Sequence, residues 1–167
     1  IQRRATDADG GEVDSFRSPA PGALLAAVED HVVMGRIVFP GAGSRELARA
    51  AAVSLSRSAK SARLSRVFFL QPLVLDGDLS TAAVSVDIAA ADERFEVSTE
   101  DLVAGTKTSH CAGGASTFSE AVPAFSHASL RALSVQPVDT AVIYAGFRSV
   151  GLEYGPQYRT LASARVS

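Results

Sequence analysis

The chain of 167 residues is long enough for one domain with a real core, since a domain of about 150 residues buries roughly two-thirds of its unfolded surface. Hydrophobic residues make up 47% and charged residues 20%, and a formal net charge of −2 with scattered Arg57, Lys60, Arg63 and Arg66 argues against nucleic acid as a partner, because phosphate binding needs clustered Lys and Arg. One cysteine excludes an internal disulfide framework, and no apolar run approaches the ~20 residues of a membrane span, so the expectation is a soluble, cytoplasmic protein that binds no membrane.

Residues 1–11 are polar and read as a ragged segment, with no secretory core behind the arginines. Glu12 to Arg17 reads as a short strand stopped by Pro19 and Pro21, and an Ala-rich stretch from Gly22 to Glu29 leads into His31. Arg36-Ile37-Val38-Phe39 reads as a buried strand ended by Pro40. The period then changes. Leu47, Ala48, Ala51, Ala52 and Leu55 share one helical face, and Ala50 with Val53 makes the other side apolar too, which predicts a helix buried nearly all round. Its small residues would let a sheet approach closely.

Ser56 to Ser65 is polar and ends that helix; Arg66 to Leu70 is a short aromatic strand. Val84, Val86 and Ile88 alternate with Ser85 and Asp87, and Phe95 and Val97 with Glu96 and Ser98, as half-buried strands do. Thr106 to Phe118 alternates less cleanly, and Gly113-Gly114 marks a bulge or bend. Within it, Cys111 reads as a small buried hydrophobe, and His110 as a strand histidine without catalytic consequence. Residues 119–137, with two prolines and no strong period, read as a linker that also takes His127 out of contention. Asp139 caps a helix with the apolar face Val142, Ile143, Gly146 and Phe147; Gly151 stops it; Arg159 to Val166 is strand-like. One buried helix among antiparallel strands is an α+β architecture.

His31-Val32-Val33-Met34-Gly35-Arg36-Ile37-Val38-Phe39-Pro40 is an H-x-x-x-G-x-x-x-x-P arrangement, followed by Gly41-Ala42-Gly43 and Glu46-Leu47-Ala48. It resembles the signature of the dehydratase domains of polyketide and related fatty-acid synthases. Gln71-Pro72-Leu73-Val74-Leu75 is similar to a strand opening of that family, and Gly151-Leu152-Glu153-Tyr154-Gly155-Pro156-Gln157-Tyr158 to its G-Y-x-Y-G-P-x-F. Both motifs occur in order from about Glu12 onward. The resemblance implies a hotdog fold, an antiparallel sheet wrapped around a central helix, as the N-terminal half of a double hotdog over residues 12–167. It implies dehydration of a 3-hydroxyacyl group held on the phosphopantetheine arm of an acyl carrier protein, with no cofactor or metal in the site itself. The carrier protein, the C-terminal hotdog half and a second copy of the parent synthase are then the expected partners.

The chemistry explains why such residues are wanted. The α-proton of a thioester is weakly acidic, so a placed base must take it, and histidine offers a neutral form near pH 7. Hydroxide leaves badly, so an acid must protonate the β-oxygen, a role that suits a carboxyl with a raised pKa. The family assigns the base to the motif histidine, here His31. Gly35 would let the backbone turn. On the same resemblance Val38, Phe39, Pro40 and Gly41 would fall beside the acyl tunnel, where Val38 and Phe39 serve equally well as core. The resemblance likewise implies that Tyr154, Gly155 and Pro156 would sit on the opposite wall near the thioester, and Tyr154 serves equally well as packing. Asp30 adjoins His31, but neighbours on an extended segment point opposite ways, which tells against it as the partner of the imidazole.

The family's acid is an aspartate in a D-x-x-x-Q/H motif, and no aspartate follows Tyr154; the last is Asp139. The expectation is therefore a fragment whose site is completed by the second hotdog. Ser44, where the family often carries an aromatic residue, and Leu152, in place of the first motif tyrosine, put acyl preference and activity in question. The competing readings are an inactive dehydratase-like module kept for dimerisation or carrier docking, a product-template-type cyclisation domain, which the Tyr-Gly-Pro segment disfavours, and a free-standing hotdog that builds its site from two chains.

Overall fold

The computed structural model describes residues 2–6, 12–119 and 127–166. Along the chain run β1 (Gln2–Thr6), β2 (Glu12–Pro19), α1 (Ala23–Val28), β3 (His31–Val33), β4 (Arg36–Ile37), α2 (Gly41–Ser54), β5 (Ser61–Phe69) and β6 (Ala82–Ala89). They are followed by β7 (Arg94–Asp101), β8 (Lys107–Phe118), α3 (His127–Leu133), β9 (Gln136–Val138), α4 (Thr140–Ser149), β10 (Leu152–Tyr154) and β11 (Ala164–Val166). The chain divides into two compact units, one of residues 1–28 and 38–120, the other of residues 29–37 and 121–167.

The first unit is a six-stranded sheet in the order β1-β2-β6-β7-β8-β5, antiparallel throughout. The alternating valines and aromatics of β6 and β7 meet across the strands: Val86 lies opposite Val97 and Ile88 opposite Phe95, all buried. Such cross-strand apolar pairs are the units that hold a sheet together. The opposite face is covered too at its centre, where Ser85 faces Ser98 with both fully buried. The helix α2 packs on β5, β6, β7 and β8 through a stripe of Ser44, Ala48, Ala51 and Ala52. Short side chains there allow the close approach that the sequence predicts, and the α+β arrangement of a sheet around one helix is the observed one.

Several expectations change in detail. The helix is not buried all round: Ala50 is exposed, and Glu46 pairs with Arg49 at 2.6 Å on the same outer side. Part of the segment read as ragged forms β1, because strand pairing uses backbone groups and needs no apolar alternation; residues 7–11 lie outside the described residues. β5 starts at Ser61, five residues before the aromatic run, since its pairing with β8 carries through polar positions. The bulge sits on β5 rather than at the two glycines of β8. Ser65 pairs with Gly114 and Phe68 with Ala112, so two residues oppose Gly113, and Arg66 takes φ 47. Gly113 is what allows it, because a Cβ there would lie 2.9 Å from the carbonyl oxygens of both Ser65 and Arg66. The Arg36 to Phe39 strand is cut to Arg36–Ile37, with Arg36 exposed; Val38 instead forms a lone bridge to Val74, the one residue of the 71–75 segment in a β pairing.

The second unit holds a three-stranded antiparallel sheet β10-β3-β4 and the pair β11-β9. α3 and β9 fall inside the span read as a linker, whose residues 120–126 lie outside the described ones; Pro137 is tolerated because β9 pairs on one side only. α4 begins as expected, with the Asp139 carboxylate accepting from the Ala141 N–H at 2.8 Å, and ends before Gly151, which takes φ 85. Its inward face is Ile143, Tyr144 and Phe147, while Val142 and Gly146 are exposed. Strand structure after Arg159 is confined to Ala164–Val166, preceded by a 3₁₀ turn at Pro156–Tyr158.

Candidate active site

His31 opens β3, and its place is fixed by pairing. On the adjacent β10 the residue directly opposite is Tyr154, with Glu153 opposite Val32 and Leu152 opposite Val33. Side chains directly opposite on antiparallel strands share a face, so the register alone sets imidazole beside phenol. The rings stack at 5.2 Å between centroids with 29° between planes. A second phenol, Tyr158, stands 5.1 Å away and tilted by 53°, and the two tyrosine rings are 5.8 Å apart. Phe147 of α4 meets Tyr154 edge-on at 5.7 Å, and Tyr144 meets Phe147 at 6.0 Å, so the helix backs the cluster with aromatic surface. His31, Tyr154 and Tyr158 are all half-buried.

The hairpin that carries His31 is tight. Met34 and Gly35 form a two-residue turn between β3 and β4 with φ 50 and 75, the left-handed pair such turns require. Nothing crowds a Cβ at Gly35, so its role is conformational, as the sequence implies. The turn is anchored by the Met34 N–H donating to the Gly151 carbonyl at 2.7 Å.

Asp30, dismissed from the sequence as a partner for the ring, has a different task. Its carboxylate accepts a hydrogen bond from the Gln157 N–H at 2.8 Å, and its main-chain carbonyl accepts from the Gly155 N–H, also at 2.8 Å. Any Cβ on Gly155 would fall inside that carboxylate, so a glycine is demanded by close approach. The Tyr158 N–H donates to the Gly155 carbonyl at 3.0 Å, closing the turn, and the Arg159 guanidinium donates to the Tyr154 carbonyl at 2.7 Å. Burial pushes the Tyr158 phenol above its ordinary value, and the neighbouring Tyr154 and the Asp30 charge push in the same direction.

Of the residues singled out in the sequence, His31, Gly35, Tyr154, Gly155 and Pro156 lie in the second unit, where His31 and Tyr154 touch. Val38, Phe39, Pro40 and Gly41 lie in the first. There Phe39 is a core residue, buried, with its N–H donating to the Leu73 carbonyl at 2.7 Å and its ring filling the space a Cβ on Gly43 would need. Pro40 is the N-cap of α2, extended at φ −63 and ψ 139, and its carbonyl accepts from the Ser44 N–H at 3.1 Å. The Phe69 ring closes on Gly41. His110 is buried with its Nε2 2.9 Å from the Thr99 hydroxyl, and Cys111 is fully buried, its thiol pushed up by burial, so both are structural as read. Among the described residues no His, Cys, Asp and Glu group is placed to hold a metal ion. The contributions that sequence reading missed are those of Asp30 and Tyr158. Asp-His followed far downstream by a Gly-Pro turn is the only trace of them, and nothing in the spacing says that the two segments pair.

Comparison with known proteins bears on the family and the fold. The profile of the polyketide synthase dehydratase domain family matches residues 1–100. The chain is 25% identical over 145 residues to the highly reducing polyketide synthase otaA of Aspergillus niger, across 80% of this chain and 6% of that protein. Its fold is that of the dehydratase domain from the CurF module of curacin polyketide synthase, with a TM-score of 0.79 at 23% identity over 98% of this chain and 60% of that one. An inactive mutant of the CurK dehydratase, with a histidine replaced by phenylalanine, superposes with a TM-score of 0.77 at 17% identity, over 98% of this chain and 58% of that one. The chain thus spans a small fraction of the curated relative and about three-fifths of the solved domains. With the family profile matched over more than half of its residues, this hotdog chain belongs to the polyketide synthase dehydratase domain family.

Proposed function

We propose that the chain supplies the histidine-bearing part of a dehydratase acting on 3-hydroxyacyl thioesters, delivered on the phosphopantetheine arm of an acyl carrier protein. His31 takes the α-proton from C2 of the acyl group; the electron pair left behind forms the C2–C3 double bond as the C3–O bond breaks. An aspartic acid from the C-terminal hotdog of the same domain protonates the departing oxygen, which leaves as water, and the product is the enoyl thioester. The acid is required because hydroxide is a poor leaving group. No redox change or electron acceptor is involved, and the reaction needs no bound cofactor beyond the carrier's own arm.

The observation that carries the reading is the direct opposition of His31 and Tyr154, which brings the two sequence motifs into ring contact. A half-buried imidazole held by aromatic rings is oriented and partly desolvated, as a base for a carbon acid must be. Tyr154, Gly155 and Pro156 would then lie beside the thioester. That loss of a histidine accompanies inactivity in the CurK dehydratase mutant supports the same assignment. The parent synthase would work as a homodimer, as a soluble enzyme of the cytoplasm; no helix among the described residues is long and apolar enough to cross a membrane.

The test is to give the full-length protein a carrier-bound 3-hydroxyacyl group and follow the acyl mass. Loss of one water, with an alkene absorbance, is the expected result. An unchanged acyl group in a folded, carrier-binding protein would favour the scaffold reading, and a cyclised product without an alkene would favour the product-template reading.

A further inference from the structure

We propose that Asp30 is the positioning residue of this site: it clamps the Gly155–Tyr158 turn against the start of β3, so that Tyr154 and Tyr158 hold the His31 ring at one angle. The inference rests on the reading of His31 as the base. Three observations meet in it. Asp30 binds the turn twice, by carboxylate to the Gln157 N–H and by carbonyl to the Gly155 N–H, each at 2.8 Å. The residue facing it is a glycine whose Cβ the carboxylate would exclude. The turn so held carries Tyr158 and follows directly on Tyr154, the two phenols that touch the imidazole, with centroids at 5.1 and 5.2 Å.

A carboxylate next to a working histidine invites comparison with a His-Asp dyad, in which the acid orients the ring by a direct hydrogen bond. Here the carboxylate accepts from a backbone amide 127 residues away. The clamp acts on the ring through the aromatic contacts of Tyr154 and Tyr158. Charge-assisted bonds to backbone N–H groups are short and strong, which suits a clamp on a segment with no helix or long strand of its own. Asp30 touches no reacting atom in this scheme. Its loss should therefore lower kcat, with a smaller rise in KM because the released turn also carries Gly155 and Pro156.

The experiment uses the full-length protein and two readouts. One is the rate at which diethyl pyrocarbonate modifies His31, mapped by peptide mass, with the buried His110 as the internal control for unfolding. The other is steady-state dehydration. Asp30→Ala is expected to raise His31 modification several-fold, to leave His110 protected, and to cut kcat by about 10²-fold, the scale of a misplacement of ~1 Å. Asp30→Asn keeps an oxygen that can accept from Gln157, and should stay near wild type in both. Should Asp30→Ala also expose His110, Gly155→Ala takes its place, since the added Cβ displaces the carboxylate; selective exposure of His31 is again the expected result. Unchanged modification of His31 in these variants, or an Asp30→Asn as impaired as Asp30→Ala, overturns the clamp. If instead His31→Ala turns over like wild type, the reading of His31 as base falls, and the kinetic half of the inference with it, while the modification readout still decides whether Asp30 holds the ring.

Discussion

Histidine is a weak base in water, and what suits it to a carbon acid is where its ring is held. In this chain two phenols lie against the ring, with a phenylalanine behind one of them. The Asp30 carboxylate acts on the backbone of the turn, yet its field is felt by Tyr158. Burial is the larger reason for the raised Tyr158 value, followed by Tyr154 and Asp30. A negative charge beside a phenol disfavours phenolate, so Asp30→Asn should move the Tyr158 titration down toward the ordinary tyrosine range, and Tyr154→Phe should move it the same way. Phenolate absorbance followed through alkaline pH, with Tyr158→Phe identifying the band, checks the direction. A titration that stays in place or rises would show that burial alone sets it.

At the scale of elements, the pattern in the sequence worked where a periodic apolar face meets one partner. α2, β6, β7 and the capped start of α4 are legible because alanine spacing, period-two valines and an N-cap aspartate are local signals. The bulge was legible only in part. Gly113-Gly114 marks its place, but the extra residue lies on β5, where nothing in Ser65-Arg66-Val67-Phe68 distinguishes it. β1 and the early half of β5 were missed because pairing by backbone leaves no mark on side-chain period. The site was legible as two motifs, His31 with Gly35 and Tyr154 with Gly155-Pro156; that they pair residue for residue is a property of β3 and β10, each three residues long and too short to show a period. The bulge gives a sharp test. Gly113→Ala would press a methyl group against two carbonyl oxygens and the Phe95 ring, all at 2.9 Å, and should destabilise the chain by about 1–3 kcal/mol. Urea unfolding with an unchanged slope and an earlier midpoint is the expected signature; an unchanged midpoint would mean the strands yield without cost.

At the scale of the whole molecule, the first unit contains a titratable group that links its stability to pH. His110 is buried at the hydrogen-bonding distance of Thr99, and burial lowers its pKa below the ordinary 6.5. Between the lowered folded value and 6.5 the unfolded chain binds more protons than the folded one, so stability rises with pH across that window. The contribution is complete above the ordinary histidine value and is lost as pH falls below it. His110→Gln should flatten that part of the stability profile, measured by urea midpoints from acid to neutral pH; an unaltered slope would place the pH dependence elsewhere. The proposed dehydration, in contrast, rests on the His31 ring in the second unit. The most direct measurement is the single-turnover rate of alkene formation on a carrier-bound 3-hydroxyacyl group by His31→Gln, in a protein shown to keep its fold. A fall of about 10²–10⁴-fold is expected, the usual contribution of a placed acid or base; a rate equal to that of wild type would remove His31 from the reaction.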